Sequence, residues 1–217
     1  MHINDSILTP LGWYCKPSLP SPRSRLHTDS VPGRSGEYLF GADYEPRVIT
    51  LILTSPRTTS KQLFRDQLAR FLIGENELWI DDICYNVKYS MMDVIPYPYV
   101  FQSTVTLKMT DPFGYSIEKS LTGSGTASNL GNYETYPTFT IPPSTNPTIQ
   151  VGTNVLIYTG TIAANHTVVI DCEHRTAVDG SANVIANVSG DWPVLAPCYN
   201  TVTVVAGTVT TWKDKYA

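Results

Sequence analysis

From Arg47 to Thr54 the chain reads RVITLILT, an aliphatic and β-branched run. A run of this length and type predicts a buried strand. Phe64, Leu68, Phe71 and Leu72 then fall on one face at helical spacing, between a Thr59–Gln62 capping-box pattern and Gly74. This segment is the only helix the pattern supports. Beyond it, ELWI and ICYNVKYS flank Asp81-Asp82, which predicts a tight hairpin. Tyr99–Thr110 alternates apolar and polar positions as a half-buried strand does, and Asp111-Pro112-Phe113 reads as its closing turn. Pro17–Gly41, rich in Pro, Ser, Gly and Arg, shows no period and reads as a long loop. Loops of that length inside compact proteins tend to carry function.

The pattern changes after Ser120. Residues 120–134 shift to Gly, Ser, Thr, Ala and Asn, the composition of a linker. From Thr135 to Ile170 there is no Asp, Glu, Lys or Arg, while Thr, Val and Ile abound. Turn signals recur at short intervals, among them Gly152, Asp179-Gly180 and Ala206-Gly207, with no helical period between them. Short, evenly spaced strands of this kind predict a β-sandwich that ends in a hairpin over Thr201–Trp212. The expected organisation is therefore a domain over 1–119, a linker over 120–134 and a second domain over 135–217. A sheet faced with Thr rather than Lys or Glu is weakly protected against edge pairing, which hints at assembly.

Composition narrows the function. Of 217 residues, 16% are charged, below the roughly 25% usual for globular chains. Residues 1–134 hold 12 basic and 14 acidic side chains, and 135–217 hold 3 and 5. Neither part has the basic excess that phosphate neutralisation needs, so no nucleic-acid-binding surface is expected. Cys15, Cys84, Cys172 and Cys198 show no paired spacing, which argues against zinc or redox chemistry and for free thiols. Neither a signal peptide nor a membrane-spanning run is expected.

Chemistry-bearing clusters are few. Asp171, Glu173 and His174 are the best metal or acid–base set, but on a strand His174 would face away from the two carboxylates. No Ser sits in a GxSxG elbow, Cys198 has no basic neighbour, and VPGRSGEY lacks the GK[ST] of a phosphate loop. Trp192, Tyr199 and Trp212 either stack sugars or fill a core. No catalytic residue, metal ligand or cofactor site is assigned.

Several ordered stretches resemble the distal tail protein (Dit) family of bacteriophages with long, non-contractile tails (the siphophages). VPGRSGEY resembles the family's PGR-x-G stretch, and it precedes the RVITLILT strand, the helix and an aromatic hairpin. Asp111-Pro112-Phe113 looks like the family's domain-closing turn, NLGNYETYPTFTI like the opening of its second domain, and DWPVLAPCYNTVTV like its closing pattern. One position departs: Cys198 stands where that pattern usually has glycine, so a left-handed turn there would be strained.

The resemblance implies a mainly β protein. Its first domain would be a split β-barrel with one helix, akin to tail-tube subunits, and its second a galectin-like β-sandwich. It further implies a structural virion protein, not an enzyme, assembled in the host cytoplasm. Six copies would form a ring hub joining the tail tube protein to the tail tip or tail-associated protein and a receptor-binding protein, with a channel for DNA. Val31, Pro32, Gly33 and Arg34 are the expected subunit or tube contact; Trp192 would serve as an inter-sheet anchor or, with Tyr199 and Trp212, as a partner or sugar contact. The alternatives are a carbohydrate-binding module for host-surface polysaccharide and the tail-tube subunit itself.

Overall fold

The β-branched run becomes a nine-residue strand whose Ile49, Leu51 and Leu53 are fully buried. It lies in a computed structural model that describes residues 2–3, 6–7, 14–29, 35, 37–56 and 61–217. The chain divides into two units, one ending at Gly114 and the other spanning Tyr115–Tyr216. The division falls earlier than the expected boundary at residue 119.

The first unit contains β1 (His2–Ile3), β2 (Ser6–Ile7), β3 (Tyr14–Ser18), β4 (Ser24–Asp29), β5 (Tyr38–Tyr44), β6 (Val48–Pro56), α1 (Lys61–Leu72), β7 (Glu75–Ile80), β8 (Ile83–Pro96) and β9 (Val100–Tyr115). Seven of these strands form one sheet in the order β2-β1-β7-β8-β9-β6-β3. Ile49, Leu51 and Leu53 of β6 share a core with Val105, Leu107 and Met109 of β9. Leu68 and Leu72 of α1 join that core, each stabilising by about 1.5–3 kcal/mol if fully transferred from water. Gln62 Nε2 donates to Asp66 Oδ1 at 2.9 Å along the helix, whereas Thr59 of the expected capping box lies outside the described residues. Between β7 and β8, Asp81 and Asp82 take φ of 50° and 65°, the two left-handed positions of a type I′ hairpin turn.

Two expectations change in this unit. Asp111-Pro112-Phe113 does not end the strand: β9 continues to Tyr115 while the Phe113 N–H donates to Asp111 Oδ1 at 3.0 Å. The local Asx bond satisfies a donor without reversing the chain. Among its described residues, Pro17–Gly41 is not mainly loop either. It holds the end of β3, all of β4 and the first part of β5, and the last two pair with each other as a separate ribbon.

The second unit is a sandwich. Its strands are β10 (Lys119–Thr122), β11 (Gly125–Asn129), β12 (Thr138–Ile141), β13 (Thr148–Val151), β14 (Asn154–Tyr158), β15 (Val168–Asp171), β16 (Thr176–Asp179), β17 (Ala182–Asn183), β18 (Val188–Gly190), β19 (Cys198–Thr203), β20 (Val209–Trp212) and β21 (Lys215–Tyr216). One sheet runs β10-β20-β12-β15-β16-β17 and the other β11-β19-β13-β14-β18. Period two aims Phe139, Ile141, Ile149, Val151, Val168 and Ile170 inward and leaves Thr138, Thr140 and Thr148 outside.

The expected linker over 120–134 is mostly strand. Ala127 is fully buried in β11, and the buried Asn129 side chain donates to the carbonyls of Tyr133 (2.8 Å) and Leu195 (3.0 Å). Small residues give a strand little intrinsic propensity, so pairing with β19 and β20 decides its state. Thr201–Trp212 is no hairpin: β19 and β20 belong to opposite sheets, so the segment between them crosses the sandwich.

Candidate functional site

The β4–β5 ribbon is highly exposed. All six residues of β4 are exposed, and the ribbon pairs with no other described strand. Arg25 lies opposite Asp43 and grips it bidentately, Nε to Oδ1 at 3.1 Å and Nη2 to Oδ2 at 2.5 Å, while His27 Nε2 lies 3.3 Å from Oδ1. Arg25's hydrogen bond holds the Asp43 carboxyl below its ordinary range. The Glu45 N–H closes the base by donating to the Arg23 carbonyl at 2.9 Å, and Tyr44 meets Phe113 edge to face at 5.6 Å. A two-stranded ribbon is marginal in water by itself, and this one also exposes Leu26, Leu39 and Phe40, the last 72% accessible. The expected contact Val31-Pro32-Gly33-Arg34 falls between β4 and β5, outside the described residues.

A second apolar stretch follows β8 outward. β7 stops opposite Lys88, and beyond it Tyr89, Met91, Ile95 and Tyr97 are exposed, with Tyr99 at the β8–β9 turn 86% accessible. Among the described residues, eleven of the fifteen exposed large hydrophobics lie in the first unit. Sequence reasoning missed these residues. The available signal was apolar side chains set beside Gly and Pro, as in LFG and IPYPY.

The aromatic trio separates. Trp212 is core, only 6% accessible, with its indole N–H donating to the Ser128 carbonyl at 3.2 Å; it cannot meet a sugar or partner. Trp192 packs half-buried against the same core, as an anchor would. Tyr199, 78% accessible on β19, is the only one of the three offered to solvent. One exposed ring is no stacking platform, which removes the main support for the carbohydrate reading.

Asp171, Glu173 and His174 do not sit on one strand. Asp171 ends β15 and the following residues turn, so His174 Nδ1 comes within 2.7 Å of Asp171 Oδ2. Asp171 Oδ1 accepts the N–H groups of Glu173 (2.9 Å) and His174 (3.2 Å). Burial pushes the Asp171 carboxyl up, but the hydrogen bonds from His174 and these amides outweigh it and leave it below its ordinary value. His174 is raised, mainly by its bond to Asp171. The cluster is a turn brace. Among the described residues no three His, Cys, Asp or Glu side chains gather as a metal site.

Cys198 occupies the strained geometry its place suggested, with φ of 84°. Asn200 holds the bend: its Nδ2 donates to the Ala196 carbonyl at 2.8 Å and its Oδ1 accepts the Ala196 N–H at 3.1 Å. None of the four cysteines is in a disulfide, and burial pushes the Cys15 and Cys172 thiols up to about 12. No described helix is long and apolar enough to cross a membrane.

Residues 130–216 match the family model of the siphovirus-type tail component, C-terminal domain. No curated protein matches the chain. Among solved structures, the crystal structure of SPP1 Dit, described as a paradigm of the hub adsorption apparatus in phages infecting Gram-positive bacteria, superposes with a TM-score of 0.77 at 13% identity. That match covers 100% of this chain and 98% of the other. Two structures of the phage P2 baseplate in its activated conformation, with Ca and with Sr, match at TM-scores of 0.42 and 0.43 and 8% identity, covering 93% of this chain and 91% and 89% of theirs. Residues 130–216 are thus similar to the C-terminal domain of the siphovirus-type tail component, and from end to end the chain carries the fold seen in SPP1 Dit.

Proposed function

We propose that this protein works as a structural hub: six copies close into a ring at the far end of the tail tube, with an open channel for DNA. One side of the ring meets the tail tube protein; the other carries the tail tip or tail-associated protein and, at the rim, a receptor-binding protein. The hub takes part by contact, not by catalysis. The reading is carried by the end-to-end likeness to a protein described as a hub of the adsorption apparatus. The concentration of exposed apolar side chains in the first unit supports it further, because monomers rarely leave such surface uncovered. A closed ring uses one heterologous pair of patches in every copy. Charge is compatible with passage of DNA: −4 per chain amounts to about −24 for six copies, which does not retain phosphate.

Native mass spectrometry with negative-stain imaging tests the proposal. Six copies of the 24.0 kDa chain weigh about 144 kDa and should appear as closed rings, alone or on added tail tube. Open tubes would favour the tail-tube alternative, and a monomer that stays single in the presence of tube would refute the hub.

A further inference from the structure

Arg47 is 7% accessible, and its guanidinium carries a charge that no carboxylate in the described residues meets. One N–H group, on Nη2, donates to the Pro112 carbonyl at 2.9 Å; Nε is shut away from water with no hydrogen-bond partner. The nearest compensation is the Tyr85 ring, whose centroid lies 5.9 Å from Cζ. A guanidinium has five donors in a rigid fork, and a buried, unpaired cation is costly unless something neutralises it. Desolvation accordingly lowers the Arg47 pKa from its ordinary value.

Arg47 also forms part of the wall of a half-open cleft of about 280 Å³, lined with it by Pro20, Ser21, Arg23, Glu45, Pro46 and Val48. The cleft lies where the β4–β5 ribbon leaves the sheet, between the segments that lead into β4 and out of β5. Two arginines against one glutamate leave it a single positive charge. That balance suits a monoanion; a doubly charged phosphate would face Glu45. Its apolar walls, Pro20, Pro46 and Val48, suit the short carbon chain that carries a carboxyl group.

We propose that this cleft is a carboxylate-binding site in which the ligand supplies the counter-charge that Arg47 lacks, with Arg23 as the second cation. The ligand is either an acidic side chain of a neighbouring copy or a free carboxylate anion. Only the first source rests on the ring reading.

Thermal unfolding of the wild type and of Arg47→Met, each in sodium acetate and in sodium chloride at equal ionic strength, tests the site. Acetate should raise the wild-type Tm by roughly 2–4 °C more than it raises that of Arg47→Met. Equal responses would overturn the site, since any general salt effect is common to both proteins. Should Arg47→Met fail to fold, the side-chain Nε–H resonances of the 15N-labelled wild type decide instead. One of them should shift saturably with acetate and not with chloride; no saturable shift overturns the proposal. The source is read from native mass. If Arg47→Met remains folded but forms no ring, the carboxylate belongs to the neighbouring copy; if its rings persist, the carboxylate is a free anion. A wild type that never forms rings would defeat the hub reading and leave the acetate result to decide the site.

Discussion

Replacing Cys198 by glycine should stabilise the second unit. With φ of 84°, Cys198 holds its Cβ against the backbone in a region open mainly to glycine. Pro197 before it and the positive φ after it match the two central positions of a type II turn, the second of which favours glycine. Asn200 bonds both polar groups of Ala196, so the bend is fixed from outside and the thiol side chain cannot relax it by moving. The strain of an L-residue there is about 1–2 kcal/mol. Glycine gives back about 0.5–1 kcal/mol through its freer unfolded chain. The net gain is thus about 0.5–1 kcal/mol, or roughly 2–8 °C in Tm for a unit of this size. Calorimetry under reducing conditions should compare wild type, Cys198→Gly and Cys198→Ala. Alanine removes the thiol but keeps the Cβ, so it should melt with the wild type while glycine melts higher. A glycine variant that melts at or below the alanine variant would refute the strain argument.

Four further outcomes are expected. Lys119→Met strands the carboxylate of Asp214, which is 1% accessible and paired to Lys119 Nζ at 2.6 Å, and should cost about 3–5 kcal/mol in urea unfolding; adding Asp214→Asn should restore part of the loss. Gly131→Ala would bring a Cβ to 2.1 Å from the Lys215 carbonyl oxygen, so the second unit should lose about 3 kcal/mol or more, read in the same assay. The Asp171–His174 brace should give a stability–pH profile with two limbs. The Asp171 contribution, from a lowered pKa, is present above its unfolded value of 3.8 and is lost as pH falls through the folded value; the His174 contribution, from a raised pKa, is present below 6.5 and is lost as pH rises through the folded value. His174→Gln should flatten the upper limb in melts across that range. Leu39→Ser with Phe40→Ser should leave the monomer melt within about 1 kcal/mol of wild type, because both side chains are already exposed, but should abolish rings in native mass spectra.

What the sequence made legible is what depends on local period. RVITLILT and the Phe64–Leu72 stripe carry their own burial pattern, and β6 and α1 appear where that pattern places them. The Asp81-Asp82 hairpin is equally local, since two turn residues set its register. The rest depends on partners far along the chain. β4 reads SRLHTD, with a single β-branched residue and no alternation; it is a strand because β5 supplies the ladder and Arg25 meets Asp43 across it. GTASN looks like linker until β19 pairs with it and Ala127 is sealed inside. Trp212 looked available because nothing local says which face of β20 turns inward. The burial of Arg47 has no local sign either, because the Pro112 carbonyl and Tyr85 ring that receive it lie on β9 and β8.

The structure also relocates the hint of assembly. Beside the expected contact at Val31–Arg34, the Thr-faced sandwich was a second hint of where copies meet, yet its outer strands are short: four residues in β10 and two in β17 on one sheet, five in β11 and three in β18 on the other. Short edges are one of the ways a sheet avoids pairing with its neighbours, and four of the fifteen exposed large hydrophobics among the described residues belong to this unit. The first unit does the opposite. It sends out a ribbon fastened by an ion pair and carrying apolar side chains, leaves β8 beyond Lys88 without β7 beside it, and holds a buried cation at the ribbon's base. Each of these features is unfavourable in an isolated chain and becomes favourable once a partner supplies apolar cover or a negative charge. On the hub reading proposed above, the first unit is therefore where a ring would be sealed.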